Sequence, residues 1–262
     1  MKNISDRKRI VVKVGTSTLT HRTGMLNIRR VEQLVKTLAD IQNSGHEVIL
    51  VSSGAIGLGM GKLGLRERPK DTPGKQACAA VGQCELMYLY DNLFAEYSIT
   101  VAQMLLTKYI LLEDRRKNVE NAMERLIAHG VIPIINENDT VAIDELELEV
   151  GENDSLAATV AAIAKADLLI IMSDIDGLYD KDPHTYDDAR LIPVVHEITD
   201  DIRALAGGAG TKLGTGGMIT KLNAVEIAYD SDIDVVLMNG QHPKTLYDLF
   251  DGKTVGTFFC KN

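Results

Sequence analysis

Only three cysteines, Cys78, Cys84 and Cys260, occur along this chain, with neither a C-x-x-C pair nor a Cys/His cluster among them. Such an odd, scattered set builds neither a disulfide framework nor a structural zinc site. The six histidines show no ligand spacing and read as loop and helix-end residues. No apolar run reaches the ~18 residues of a membrane span, and the polar N-terminus, MKNISDRKR, has no signal-peptide core. Basic tracts are missing too: 28 basic against 37 acidic side chains leave a formal net charge of −9. That balance disfavours nucleic acid and anionic membranes as partners. A reducing, cytoplasmic setting is therefore predicted, and any anionic ligand must be held by a locally arranged site.

Familiar nucleotide signatures are also absent. No G-x-G-x-x-G occurs, and Gly61-Lys62 is followed by Leu63, with Ile56 where a Walker loop requires glycine. Protein-kinase motifs are lacking as well. What is present is an alternation of strands and helices. IVVKVGTSTL, Ile10 to Leu19, begins as a strand and breaks at Gly15. Val31, Leu34, Val35, Leu38 and Ile41 follow at helical spacing, closed by Gly45. Glu47 to Val51 reads as a strand that turns through Ser52, Ser53 and Gly54 into a short helix from Ala55. Gly64 to Pro73 reads as a loop, and Lys75 to Glu96 as a long helix apolar on most faces, suited to packing on more than one side or at a subunit interface.

Further strands are predicted at Thr100 to Leu106, Val131 to Ile135, Leu168 to Met172 and Asp234 to Met238, with helices at Arg116 to His129, after Asp154, and at Met218 to Tyr229. Ala142 to Val150 suits a solvated hairpin, whereas Asp176 to Ala189 and the glycine-dense Gly207 to Gly217 look less regular. Unbroken apolar strands separated by helices predict an α/β fold, a three-layer α/β/α sandwich around a mainly parallel central sheet. No linker, repeat or low-complexity tract interrupts it, so residues 1–262 read as a single domain.

Open α/β sheets bind ligands at the carboxyl ends of their strands. Here those ends are Lys13 to Ser17, Ser52 to Ala55, Asn136 to Asp139, Ser173-Asp174 and Asn239-Gly240. Lys13 is unusual, since a buried strand normally excludes an ammonium group; it either snorkels outward or points at an anion. Two glycine-rich turns could supply the anion site. Ser53-Gly54-Ala55 presents backbone N–H groups at a helix start, and so does Gly214 to Lys221, where Lys221 lies one turn into the helix. Turn formation alone would also enrich these residue types, and Asp154 would serve equally as the N-cap of the helix that follows it.

The motifs VVKVGTST, VSSGAIGLG, INENDTV, VGENDSLAA, MSDIDGLYDKDP and LGTGGMITKLNAV stand in this order between about Ile10 and Phe259. Together they closely resemble the glutamate 5-kinase branch of the amino acid kinase superfamily. The resemblance implies transfer of the γ-phosphoryl group of ATP to the side-chain carboxylate of L-glutamate, the first step of proline synthesis. By residue it implies Lys13 and Lys221 as the phosphoryl clamp with Asp154 holding them, and Ser53, Gly54, Ala55, Asp139 and Asn153 for glutamate. For ATP it implies Lys13, Gly15, Ser173, Asp174, Thr215, Gly216, Gly217, Met218 and Lys221, with Mg²⁺ carried mainly on the ATP phosphates rather than by protein ligands.

Asp176 stands where some relatives have lysine, which bears on adenine-side contacts. The resemblance further implies a homo-oligomer, dimer or tetramer, with proline as a feedback inhibitor and hand-over of the product to glutamyl phosphate reductase. The form expected is the one without the C-terminal PUA domain that many members carry. Alternatives are a kinase for N-acetylglutamate or aspartate, and a noncatalytic amino-acid or nucleotide sensor. An NAD-dependent oxidoreductase shares the alternation but lacks its fingerprint.

Overall fold

A computed structural model describes residues 4–21, 25–107, 113–141, 152–183, 185–206 and 217–261. In chain order the elements are β1 (Arg9–Val14), α1 (Thr16–Leu19), α2 (Ile28–Asn43), β2 (Glu47–Ser52), α3 (Ala55–Leu63), α4 (Thr72–Ala95), β3 (Val101–Leu106), α5 (Glu113–Ala128) and β4 (Ile132–Glu137). There follow α6 (Glu152–Ala164), β5 (Leu168–Ser173), β6 (Val194–Val195), α7 (Asp200–Ala206), α8 (Met218–Tyr229), β7 (Asp234–Asn239), α9 (Thr245–Phe250) and β8 (Thr257–Phe259). The chain divides into two compact units, Val14–Glu149 and Met1–Lys13 with Val150–Asn262.

Within Val14–Glu149, β4 lies between β3 and β2 in a parallel arrangement, with Val51 opposite Ile135 and Met104 opposite Ile135 from the other side. Five of the six positions of β2 and of β4 are buried, so side chains pointing both ways are covered, as a central parallel strand requires. Helix α2 packs on β2, α4 on β3, α5 on β4, and α3 against α4. Leu34, Leu38, Ile49, Leu86, Tyr90 and Phe94, all fully buried, anchor this core. At a general scale of about 1.5–3 kcal/mol for each large apolar side chain removed from water, such a set outweighs any single polar contact described below.

In the other unit β5 is buried at all six positions and runs parallel to β7, Leu168 opposite Asp234 through Ser173 opposite Asn239. Helix α6 packs on β5, α8 on β7, and α6 against α8. β8 is antiparallel to β7 and parallel to β6. These two short strands escape the sequence reading, since two or three residues cannot display a period.

Two helix starts differ from expectation. α4 begins at Thr72, inside the stretch read as a loop, because the Asp71 side chain caps it by accepting from the Gly74 N–H at 3.0 Å and Pro73 occupies its first turn. α6 begins at Glu152, which puts Asn153 and Asp154 inside its first turn instead of before it. The hairpin expected at 142–150 and most of the glycine-dense segment, 207–216, lie outside the described residues. Among the described residues no helix is long and apolar enough to cross a membrane.

Candidate active site

Lys13 is the penultimate residue of β1, between Val12 and Val14, and its side chain is only 10% exposed. Its Nζ lies 2.7 Å from Asp154 Oδ1, and Lys221 Nζ lies 3.2 Å from Asp154 Oδ2. A single carboxylate, itself 2% exposed, therefore holds two lysines brought from a strand end and from the first turn of α8. An ammonium near a helix N-terminus opposes the helix dipole, and Asp154 offsets that. Burial alone would push the Asp154 carboxyl up; the Lys13 and Lys221 charges and their hydrogen bonds outweigh it and hold the group below the usual carboxylate range. So Lys13 does not snorkel, and Asp154 is not a helix cap.

Thr220 completes the cluster and was not legible in the sequence. Its hydroxyl lies 2.8 Å from the Gly217 carbonyl and 3.4 Å from Asp154 Oδ2. Gly217 is the extended residue that leads into α8, next to half-buried Met218. Thr215 and Gly216 lie outside the described residues. Gly15, half-buried, follows β1 and precedes α1.

At the ends of β5 and β7, the Ser173 hydroxyl donates to Asp174 Oδ1 at 3.0 Å, and the Ser173 carbonyl accepts from Gly240 N–H at 2.7 Å. Asp174 itself is exposed. Asp176 accepts from Asn239 Nδ2 at 2.7 Å and from the Tyr179 hydroxyl at 3.0 Å. Beside them opens a cavity of about 550 Å³, lined by Asp176, Asn239, Thr245, Lys253 and Gly256 among others.

Within Val14–Glu149 the remaining candidates stand at the ends of two neighbouring parallel strands, β2 and β4. After β2, Ser53 N–H donates to the Val14 carbonyl at 3.1 Å, and Gly54 adopts φ +103° as it starts α3. A left-handed residue there turns the chain sharply, which only glycine accepts without strain. No side chain caps this helix start, so its first N–H groups stay open to an acceptor. After β4, Asn138 N–H donates to the Leu106 carbonyl at 2.7 Å, and half-buried Asp139 follows. Asn153, half-buried, belongs to the unit that contains Asp154.

Residues 8–239 match the amino acid kinase family model. The chain is 52% identical over 261 residues to a glutamate 5-kinase of Clostridium perfringens, covering 98% of this chain and 97% of that protein. It is 53% identical over 257 residues to a glutamate 5-kinase of Clostridium tetani, covering 98% and 96%. Among solved structures, carbamate kinase from Giardia lamblia bound to AMP-PNP aligns with a TM-score of 0.66 at 18% identity, over 99% of this chain and 100% of that one. At that identity the likeness speaks for the fold alone.

Proposed function

Since this chain belongs to the amino acid kinase family, in its glutamate 5-kinase branch, we propose that it phosphorylates the side-chain carboxylate of L-glutamate with ATP. The product is L-glutamyl 5-phosphate, the first intermediate of proline synthesis. The observation that carries this reading is the buried pairing of Lys13 and Lys221 on Asp154.

A glutamate carboxylate is already ionised at neutral pH, so no general base is required. One of its oxygens bonds to the γ-phosphorus while the bond from that phosphorus to the bridging oxygen breaks, and ADP leaves with the electron pair. Negative charge spreads over the transferring oxygens, and catalysis is a matter of positioning and charge stabilisation. Lys13 and Lys221 supply the cations, and Asp154 fixes them in advance. Ser53, Gly54, Ala55, Asp139 and Asn153 take glutamate: the Asp139 carboxylate suits the α-ammonium, and the donors of the Ser53 turn and Asn153 suit the carboxylates. Gly15, Ser173, Asp174 and the stretch Thr215, Gly216, Gly217, Met218 take the nucleotide.

Among the described residues no three histidine, cysteine or acidic side chains converge as a metal cage. A Mg²⁺ carried on phosphate oxygens and water needs none, and when bound it neutralises charge on the β- and γ-phosphates. The same reading takes residues 1–262 as one cytoplasmic catalytic domain, assembled as a dimer or tetramer, with proline competing at the glutamate site and the labile product passed to a glutamyl phosphate reductase. The test is hydroxylamine trapping with purified protein, ATP, Mg²⁺ and L-glutamate, which should yield the hydroxamate. Hydroxamate with aspartate or N-acetylglutamate but none with glutamate would move the enzyme to a sister activity; none with any of them would leave a binding protein.

A further inference from the structure

Two buried hydrogen bonds link one face of α4 to the ends of two neighbouring strands. Gln83 Oε1 accepts from Asn136 Nδ2 at 2.9 Å, and the Tyr90 and Ser52 hydroxyls lie 2.9 Å apart. Gln83 and Tyr90 stand two turns apart along α4, so they share a face. Ser52 closes β2 and Asn136 is the penultimate residue of β4, each the residue that follows the Val51–Ile135 pair on its strand. Directly after Ser52 comes the Ser53-Gly54-Ala55 turn, and three residues after Asn136 comes Asp139. The helix also touches the first of these directly, since a Cβ added at Gly82 would fall 1.7 Å from the Ala55 carbonyl oxygen.

All four side chains are sealed from water: Ser52 and Tyr90 at 0% exposure, Asn136 at 3% and Gln83 at 8%. A helix face that only had to pack would be filled at less cost by leucine or methionine, because buried amides and hydroxyls must be desolvated. Gln83 makes the case sharper, since its Nε2 has no hydrogen-bond partner among the described residues. An unmet donor is a loss that an apolar residue avoids. What an apolar residue cannot supply is direction: a hydrogen bond between buried side chains fixes one geometry where apolar contact admits several.

We propose that Gln83 and Tyr90 are positioning residues for the amino-acid substrate, acting through Asn136 and Ser52 to set the strand ends that carry Asp139 and the Ser53 to Ala55 turn. The inference rests on the assignment of those strand ends to glutamate. In the hydroxamate assay, Gln83→Met and Tyr90→Phe should each raise KM for glutamate about 5- to 10-fold, with kcat and KM for ATP within about twofold. Gln83→Glu keeps an acceptor for Asn136 and should bring KM for glutamate back toward the wild-type value. Equal rises in both KM values, or a lower thermal midpoint with KM for glutamate unchanged, would overturn the proposal. Tyr90→Phe removes a single oxygen, so the test stands even where Gln83→Met does not fold. Wild-type protein inactive on glutamate would sink the substrate reading, and this proposal with it, before any variant is made.

Discussion

Asp154 is the residue on which the two lysines depend, and its behaviour with pH follows from its partners. Its carboxyl titrates below the ordinary value of 3.8 in the folded chain. The folded state then binds fewer protons than the unfolded state across the acid range. The cluster's contribution to stability is complete above the ordinary value and is lost as pH falls through the lower, folded one. Asp154→Asn leaves two ammonium groups facing an amide, and it should lower unfolding free energy at neutral pH by about 3–5 kcal/mol. Urea midpoints from about pH 5 to 3 should fall less steeply for this variant than for wild type; parallel curves would contradict the depressed carboxyl. Lys13→Met and Lys221→Met should each reduce kcat by about 10²- to 10³-fold with the fold intact by circular dichroism, the scale for removing one preorganised charge stabiliser. Lys13 was conspicuous in the sequence as a cation in an apolar strand, and Lys221 as a cation after a glycine turn. Asp154 was visible only through the family motif, since capping explained it equally well. Thr220 left no signal, because hydroxyls in first turns are common and only the fold brings its Oγ1 to within 3.4 Å of Asp154.

At the scale of elements, α3 and α4 meet through glycine in a way that apolar patterning does not reveal. A Cβ at Gly59 would fall 1.8 Å from the Cys78 carbonyl oxygen, and one at Gly82 would fall 1.7 Å from that of Ala55. Both obstacles are backbone, so neither can move aside without separating the helices. Gly82→Ala should therefore destabilise at or beyond the upper end of about 1–3 kcal/mol for an overpacked core. Gly61→Ala, on the same helix as Gly59 with nothing within 4 Å of the added carbon, should stabilise by about 0.5–1 kcal/mol through helix propensity. Gly54→Ala meets only an ordinary contact with Leu19 at 3.4 Å, so its cost is the left-handed backbone, about 1–2 kcal/mol. Denaturant unfolding of the three variants checks the order: Gly82→Ala worst, Gly54→Ala intermediate, Gly61→Ala above wild type. The long, broadly apolar α4 packs against α3, α2 and β3, and Ala77, Ala80, Cys84 and Tyr88 leave one stripe of it exposed. Its first turn escapes the sequence pattern because Asp71 and Pro73 are residues that loops and helix starts share. β6 and β8 leave no signal in the sequence because such short pairing strands are set by tertiary contact.

At the scale of the whole molecule, the question is whether the chain folds as one cooperative body. Strand β1 (Arg9–Val14) crosses the division between the two compact units, which falls after Lys13. Of the candidate nucleotide residues, Lys13, Ser173, Asp174, Gly217, Met218 and Lys221 belong to the unit made of Met1–Lys13 and Val150–Asn262, and Gly15 to Val14–Glu149; of the candidate glutamate residues, Ser53, Gly54, Ala55 and Asp139 belong to Val14–Glu149 and Asn153 to the other unit. We propose that residues 1–262 nevertheless unfold as one domain, as the uninterrupted alternation of strands and helices in the sequence implies. A ligand that touches only the native nucleotide residues then discriminates. At about 100 times its Kd, a nonhydrolysable ATP analogue with Mg²⁺ stabilises the native state by about 2.7 kcal/mol. For a chain of this size that corresponds to roughly 5–10 °C. If the molecule is one domain, a calorimetric scan shows one endotherm and the analogue moves all of it upward. Two endotherms, of which the analogue moves one, would mean that the two units melt independently, and the single-domain reading would fall.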